Sequence, residues 1–160
     1  MNRLTKNLAD WLIEEELVRT PYTDPVYTTD EDGNSESLPV IFVETDAPSP
    51  DDLKNIGDVD ITLTLQTSGG RGTLPYQGFL DRRTVDLLFR CKPQKEKKII
   101  DLANKIDYRM DDARAWQMNN IRVEISQLTR PLDYISIKLE DQGSFYYCQY
   151  QFLIRKSELQ

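Results

Sequence analysis

Residues 59–66 read VDITLTLQ, and this stretch decides the fold class because it alternates apolar and polar side chains without interruption. Successive side chains of a β-strand point to opposite faces of the sheet, so the apolar positions share one face and the polar positions share the other. This pattern is typical of a sheet with one buried and one solvated face. The stretch therefore predicts a half-buried strand.

Five further segments carry strand patterns, at residues 38–43, 84–91, 121–125, 135–139 and 145–154. We expect Arg130-Pro131 to end the strand that begins at residue 121, because proline donates no hydrogen bond to a sheet ladder. Residues 141–144 (DQGS) predict a hairpin turn before the last strand. That strand has large apolar side chains on both faces, so we expect it to be covered on both sides.

Two amphipathic helices are also predicted. The first runs from the N-terminal residues toward Pro21, and the second opens at Pro93, where the missing N–H of proline costs nothing. Their apolar stripes consist of Leu4, Leu8, Trp11, Leu12, Leu17 and Val18 in the first helix, and Ile99, Leu102, Ala103, Ile106 and Met110 in the second. The order of helix, three strands, helix and three strands predicts an α+β fold. Its two helices would pack on one face of a mostly antiparallel sheet, or of a mixed sheet, of five to six strands.

The composition restricts both the size and the chemistry. A chain of 160 residues predicts one domain over residues 1–160. The chain has no histidine, which excludes Ser-His-Asp and Cys-His nucleophiles and zinc sites that need histidine. Chemistry based on carboxylates, lysine or tyrosine is not excluded by this count. Cys91 and Cys148 lie in apolar stretches and are predicted to be small core residues rather than a disulfide.

The charge is unevenly distributed along the chain. Residues 21–58 hold ten acids and one base, a local charge of −9, whereas the rest of the chain holds 17 acids and 19 bases, or +2. We call residues 21–58 the acidic segment and expect it to be rich in loops around the strand at residues 38–43. No stretch is apolar enough over ~20 residues to predict a membrane span, and residues 1–10 lack the apolar core of a signal peptide.

Three kinds of short motif resemble functional sites, namely a calcium loop, a phosphate-binding loop and paired catalytic carboxylates. Each lacks residues or geometry that such a site needs. Residues 28–39 lack two of the strongest ligands of a calcium loop, at positions 1 and 12, which favours a solvated acidic turn. Residues 68–73 (SGGRGT) have neither the lysine nor the following helix of a phosphate-binding loop. The paired carboxylates Asp51-Asp52 and Asp111-Asp112 are sequence neighbours, which do not face each other on a helix or strand. We therefore predict no catalytic, cofactor-binding or metal-binding residue.

Two segments are candidates for contacts with other proteins. Residues 67–82 contain four glycines and Pro75, and we expect them to form a long, mobile connection. Residues 145–152 (FYYCQYQF) carry aromatic side chains interleaved with glutamine and cysteine. A sheet that binds single-stranded nucleic acid would need lysine or arginine beside those rings, so core packing plus a subunit contact is the favoured interpretation.

The layout resembles a family of phage proteins. An N-terminal helix of the form L-x-x-x-L-A-x-W-L precedes an apolar strand, then a strand ending in QTSGG (residues 66–70), a loop, a strand ending in LFRC (residues 88–91) and a helix. This order is similar to that of the minor capsid and tail-completion proteins of long-tailed bacteriophages of Gram-positive hosts, which resemble the tail terminator family. The chain departs from the pattern at residues 28–36, an acidic insertion, and at residues 71–82, an extended loop.

The resemblance implies a non-enzymatic virion protein made in the host cytoplasm. It would form a ring, generally a hexamer, that caps the tail tube, ends tube growth and offers a joining surface to the head-completion or connector protein. DNA would pass through the ring without specific binding, and no membrane would be involved. If the acidic segment lines the lumen, like charge would keep DNA from adhering.

The candidate residues follow from these interpretations. Contacts with a neighbouring subunit or the tube are expected at Gly69, Gly70, Arg71, Tyr76 and Tyr147, and an acidic lumen is expected at Asp30, Glu31, Asp32 and Glu36. Two alternatives are kept. The chain could act as an adaptor at the head–tail junction, or as a small metal hydrolase that uses carboxylates.

Overall fold

The computed structural model describes residues 3–22, 27–29, 33, 35–44, 59–73, 80–110, 114–135 and 144–155. Helix α1 spans Arg3–Glu14 and helix α2 spans Glu96–Arg109. The strands are β1 Tyr27–Thr29, β2 Ser35–Ser37, β3 Val40–Val43, β4 Ile61–Thr73, β5 Leu80–Cys91, β6 Trp116–Met118, β7 Ile121–Ile135 and β8 Ser144–Arg155.

Six of these strands form one sheet in the order β3-β4-β5-β8-β7-β6. Strand β3 pairs with β4 in parallel, and every other neighbouring pair is antiparallel. The sheet is curled into a half-barrel. The α+β class and the six-stranded mixed sheet confirm the prediction. Strands β1 and β2 form a separate antiparallel pair that the sequence patterns did not predict.

Helix α1 lies between the two ends of the curled sheet. It contacts β3 and β4 at one end and β6 at the other. The rings of Trp11 and Trp116 lie 4.8 Å apart between their centroids. Nearby, the buried Asn7 accepts hydrogen bonds through Oδ1 from Asn119 Nδ2 at 3.2 Å and from the backbone N–H of Asn120 at 3.3 Å. The helix therefore joins strands that are distant in the sheet order.

Helix α2 contacts β5, and the two helices share one core with the sheet. Lys98 Nζ of α2 donates to Asp60 Oδ2 at 2.7 Å, and Arg109 at the end of α2 pairs with Glu15 just after α1. Both helices contribute buried side chains to the same apolar cluster as strands β4, β5, β7 and β8. The packing of both helices on a single face of the sheet stays a prediction.

Residues 61–66 form the first part of β4, and residues 61–65 are buried on both faces of the sheet. Ile61, Leu63 and Leu65 lie in the main core as predicted. Thr62 and Thr64 are also 2% exposed. They are the register partners of Val40 and Phe42 on β3, which form a second apolar cluster with Val59. The prediction of a solvated polar face is therefore wrong for this strand.

Both helices are shorter than their sequence patterns. Helix α1 ends at Glu14 rather than near Pro21, because Glu16 adopts a positive φ of 59° that no helix continues. Leu17 and Val18 are nevertheless buried, as their apolar character predicted. Helix α2 begins at Glu96, and Pro93 precedes it in a turn in which Gln94 has a φ of 67°.

Strand β7 continues through the proline that was expected to end it. It runs from Ile121 to Ile135, and its register with β8 shifts between Arg130 and Asp133. Pro131 falls within that irregularity, where a bulge removes the need for a ladder N–H. The predicted break at Arg130-Pro131 is therefore wrong.

The expected turn at residues 141–144 lies outside the described residues, apart from Ser144 at the start of β8.

The long connection predicted at residues 67–82 is largely strand. Strand β4 extends to Thr73 and β5 begins at Leu80, and the two pair up to Thr73 and Asp81. A register shift between Ser68 and Gly72 takes up the glycine-rich stretch. Glycine is tolerated there because a bulge bends the strand and needs little side-chain packing. The prediction of a mobile loop over this whole range is wrong.

Cys91 and Cys148 are buried and free, which confirms their prediction as core residues. Burial raises the pKa of Cys148 to about 12. Tyr150 lies two residues further along β8 on the same face, and its hydroxyl donates to Asp107 Oδ1 of α2 at 2.8 Å. Burial, then this hydrogen bond, raises the pKa of Tyr150.

Within the described residues, neither helix is long and apolar enough to cross a membrane.

We expect Leu8→Ala to lower the free energy of unfolding by about 2–5 kcal/mol, because Leu8 is fully buried between the sheet ends. The control Lys6→Ala changes an exposed side chain of the same helix and should alter stability by less than about 0.5 kcal/mol. Urea unfolding measures both variants. Equal losses would contradict the role given to α1.

Stability should fall at alkaline pH. The thiol of Cys148 and the phenol of Tyr150 have raised pKa values in the folded protein, so the unfolded chain loses these protons first. The stabilisation is complete below the unfolded thiol pKa of roughly 8.5 and decreases as the pH rises toward 12. Urea unfolding at pH 7, 9 and 10.5 should show a steady decrease, and Cys148→Ala should make the decrease shallower. An identical slope in that variant would rule out the thiol as a cause.

Candidate functional site

The face of the sheet turned away from the main core is the candidate site. On β5 and β8, its side chains alternate with the buried side chains of the core. The face also includes the residues of β7 that are paired with the outward-facing residues of β8. All of them are half-buried or exposed. We call this surface the outer face, and it consists of Arg82, Thr84, Asp86, Leu88 and Arg90 on β5, Phe145, Tyr147, Gln149, Gln151, Leu153 and Arg155 on β8, and Ile125, Gln127, Arg130 and Asp133 on β7.

The basic residues of the outer face are all arginine. The whole chain has eleven arginines and nine lysines, yet the described strands hold seven arginines and no lysine. Arginine and aromatic residues are enriched in protein interfaces, where lysine is depleted, because a guanidinium is weakly hydrated and bonds in a fixed planar geometry. In its use of arginine rather than lysine, the outer face resembles protein interfaces.

A hydrogen-bond network holds the centre of the outer face. Asp86 Oδ1 accepts from the Tyr147 hydroxyl at 3.0 Å and from Gln149 Nε2 at 2.9 Å. Thr129 Oγ1 donates to Gln149 Oε1 at 3.0 Å, which extends the network to β7. Burial, followed by the bond to Asp86, raises the pKa of Tyr147. The hydroxyl of Tyr147 is therefore anchored to Asp86 of the neighbouring strand.

Apolar and cationic groups surround this network. Arg90 is the register partner of Phe145, and Leu88 is the partner of Tyr147. Arg90 is half-buried, and this burial lowers the pKa of its guanidinium. At the other end of the face, Arg155 Nε pairs with Glu124 Oε1 at 3.0 Å. Half-buried cations beside aromatic rings are suited to an anionic partner group.

Strand β7 carries several exposed apolar side chains. Ile125, Leu128 and Tyr134 are 48%, 39% and 49% exposed, and they are the exposed large apolar side chains of the described sheet. Ile125 is the register partner of Leu153 on the outer face. Tyr134 lies on the other face, where the centroid of its ring is 5.4 Å from that of Tyr146. Single exposed apolar residues are ordinary, but three on one strand mark it as a candidate contact.

The structure separates the residues predicted to contact partners. Gly69, Gly70 and Arg71 lie in β4 within the register shift, not in a loop, and Tyr147 lies at the centre of the outer face. Tyr76 lies outside the described residues. The assignment of these residues to an interface stays a prediction.

The residues predicted for an acidic lumen are mostly outside the described part. Glu36 lies in β2, where its register partner is Thr28 of β1. Asp30, Glu31 and Asp32 lie outside the described residues, as do the carboxylate pairs Asp51-Asp52 and Asp111-Asp112. Within the described ranges, no group of three or more acids or cysteines is placed to hold a metal ion.

The sequence carried part of the signal for the outer face. The alternation in residues 84–91 already places Asp86 and Arg90 on the polar face of one strand. The network could not be predicted, because Asp86 and Tyr147 are 61 residues apart and meet only through the β5–β8 register. The arginines beside the aromatic residues 145–152 come from β5 and β7, so the sequence of residues 145–152 gave no sign of them.

No protein-family model and no curated protein matches this chain.

We expect Asp86→Ala to lower the free energy of unfolding by about 1–2 kcal/mol, because two half-buried donors lose their acceptor. Gln127→Ala, an exposed change on the same face, should cost less than about 0.5 kcal/mol. Chemical denaturation compares the two variants. A loss no greater in Asp86→Ala than in Gln127→Ala would show that the network does not stabilise the sheet.

Proposed function

We propose that this chain is a non-enzymatic structural protein of a tailed-phage virion, and that its copies form a ring that caps the tail tube. The resemblance of its element order to tail terminators suggested this role from the sequence. A ring of this kind needs surfaces that bind other polypeptides and needs no reaction centre. The alternative role as an adaptor at the head–tail junction would use the same kind of surface.

The outer face is the observation that carries the proposal. It is a broad sheet surface with arginine, tyrosine, phenylalanine and leucine, and without lysine. Its central tyrosine is held by Asp86 at 3.0 Å, so binding a partner would not have to order that side chain. These properties favour a preformed protein-binding surface over a solvated one.

Strand β7 supports the same proposal from a second direction. Among the described residues, β6 pairs with β7 only as far as Val123, so the stretch from Glu124 onward has β8 as its one described strand neighbour. The exposed side chains of Ile125 and Leu128 lie in that stretch. Apolar groups beside a strand edge that no other described strand covers are a usual place for another chain to pack.

The oligomeric state of the purified protein tests the proposal. Native mass spectrometry and negative-stain images should show closed rings, either of the protein alone or after it is added to growing tubes of the tail-tube protein of the same virus. In the second case the mean tube length should decrease as the protein concentration increases. A protein that stays monomeric under both conditions and leaves tube length unchanged would contradict the proposal.

A matched pair of variants locates the contact. Ile125→Glu should reduce ring formation by about tenfold or more, because an unpaired carboxylate in an interface costs more than the ~1.4 kcal/mol of a tenfold change in Kd. Asn104→Glu adds the same charge at an exposed position on α2, outside the outer face, and should form rings nearly as well as the unmodified chain. Equal effects of the two variants would exclude Ile125 from the contact.

A further inference from the structure

We propose that the outer face binds the acidic segment, residues 21–58, of a second copy of this chain. The inference rests on the proposed function in one respect, since this contact would join neighbouring subunits of the ring.

The outer face has the charge to receive an acidic segment. It holds four arginines and two aspartates, in a protein whose formal charge is −7. One of the aspartates, Asp86, already accepts two hydrogen bonds within the face. Arg130 is exposed, and Arg90 is partly desolvated beside Phe145. Partly desolvated guanidinium groups bind carboxylates more strongly than fully solvated ones do.

The acidic segment has the complementary charge. Its ten acids and one base give −9, against +2 for the remainder of the chain. Glu44 is engaged within its own subunit, where its carboxylate accepts hydrogen bonds from the hydroxyls of Thr5 and Thr67. Between Glu44 and Val59 the chain carries four more aspartates, at positions 46, 51, 52 and 58.

The described ends of the acidic stretch 45–58 and the arginines of the outer face lie at different parts of one sheet. Residues 45–58 connect Glu44, directly after β3, to Val59, which packs on Val40 of β3. The arginines of the outer face lie on β5, β8 and β7, toward the other end of the sheet order. Two different surfaces that attract each other give a head-to-tail contact between copies, and such contacts close into rings when the rotation between subunits permits.

The surrounding groups favour protein over nucleic acid as the partner. Asp86 and Asp133 lie in the middle of the face, where they would repel a phosphate backbone. The aromatic side chains of the face include Tyr147, whose hydroxyl is committed to Asp86. A carboxylate-bearing polypeptide can pair with single arginines between these aspartates, whereas a continuous polyanion cannot avoid them.

Charge reversal tests the contact. Arg130→Glu should weaken self-association by about tenfold or more, as reversal of an interface charge pair does. Lys105→Glu reverses an exposed charge on α2, away from the outer face, and should leave self-association nearly unchanged. Asp51→Lys combined with Asp52→Lys should also weaken association, and mixing that variant with Arg130→Glu should restore it. Equal effects of Arg130→Glu and Lys105→Glu, or no restoration on mixing, would overturn the proposal.

A cross-linking experiment separates contacts between copies from contacts within one copy. Arg130→Lys keeps the charge and supplies an amine, which a carbodiimide condenses with a nearby carboxylate to form an amide. In a mixture of ¹⁴N- and ¹⁵N-labelled protein, the proposal predicts mixed-isotope peptides that join position 130 to residues 21–58. Cross-links found only within one isotope, or none to this segment, would overturn it, as would tighter binding of the outer face to single-stranded DNA than to a second copy.

The two proposals fail differently. Rings that persist in Arg130→Glu would leave the proposed function standing and remove the acidic segment from the outer face. Mixed-isotope cross-links in a protein that never forms a ring or shortens tubes would establish the contact and contradict the proposed function.

Discussion

Helix α1 provides the constraint on which the rest of the structure depends. A sheet curled into a half-barrel leaves its first and last strands facing a common gap, and α1 fills that gap with Leu8, Trp11 and Leu12. The contact between Trp11 and Trp116 joins the helix to β6, and Asn7 satisfies backbone and side-chain donors of the turn beside it. Without this helix, the buried faces of β3 and β6 would meet water.

The outer face is the side of the sheet that is turned away from the main core. Both helices bury their apolar stripes in the main core, while the outer face of β5, β8 and β7 stays half-buried or exposed. That face combines a fixed tyrosine, partly desolvated arginine and scattered apolar groups. Cys148 lies behind this face in the core, where burial raises the pKa of its thiol to about 12 and suppresses the thiolate. These properties support the proposal that the surface binds another chain.

The sequence predicted what depends on local pattern and missed what depends on pairing. The alternation of β4 and the stripes of both helices identified Leu63, Leu8 and Ile106 as core residues, because burial follows the 2.0 and 3.6 periods directly. The burial of Thr62 was missed because it depends on Val40 across a parallel pair, and the continuation of β7 was missed because a bulge accommodates Pro131. The Asp86–Tyr147 pair was missed for the same reason: its register is set by the whole sheet and not by either strand.

The most direct test of the account is a cryo-electron-microscopy reconstruction of the assembled protein, in which the environment of Tyr147 and Arg130 can be seen. The account predicts that both side chains lie against polypeptide from a neighbouring copy, with carboxylates of that copy within hydrogen-bonding distance of the arginine. An assembly in which the outer face of every subunit is open to solvent would contradict the central claim that this surface exists to bind another chain.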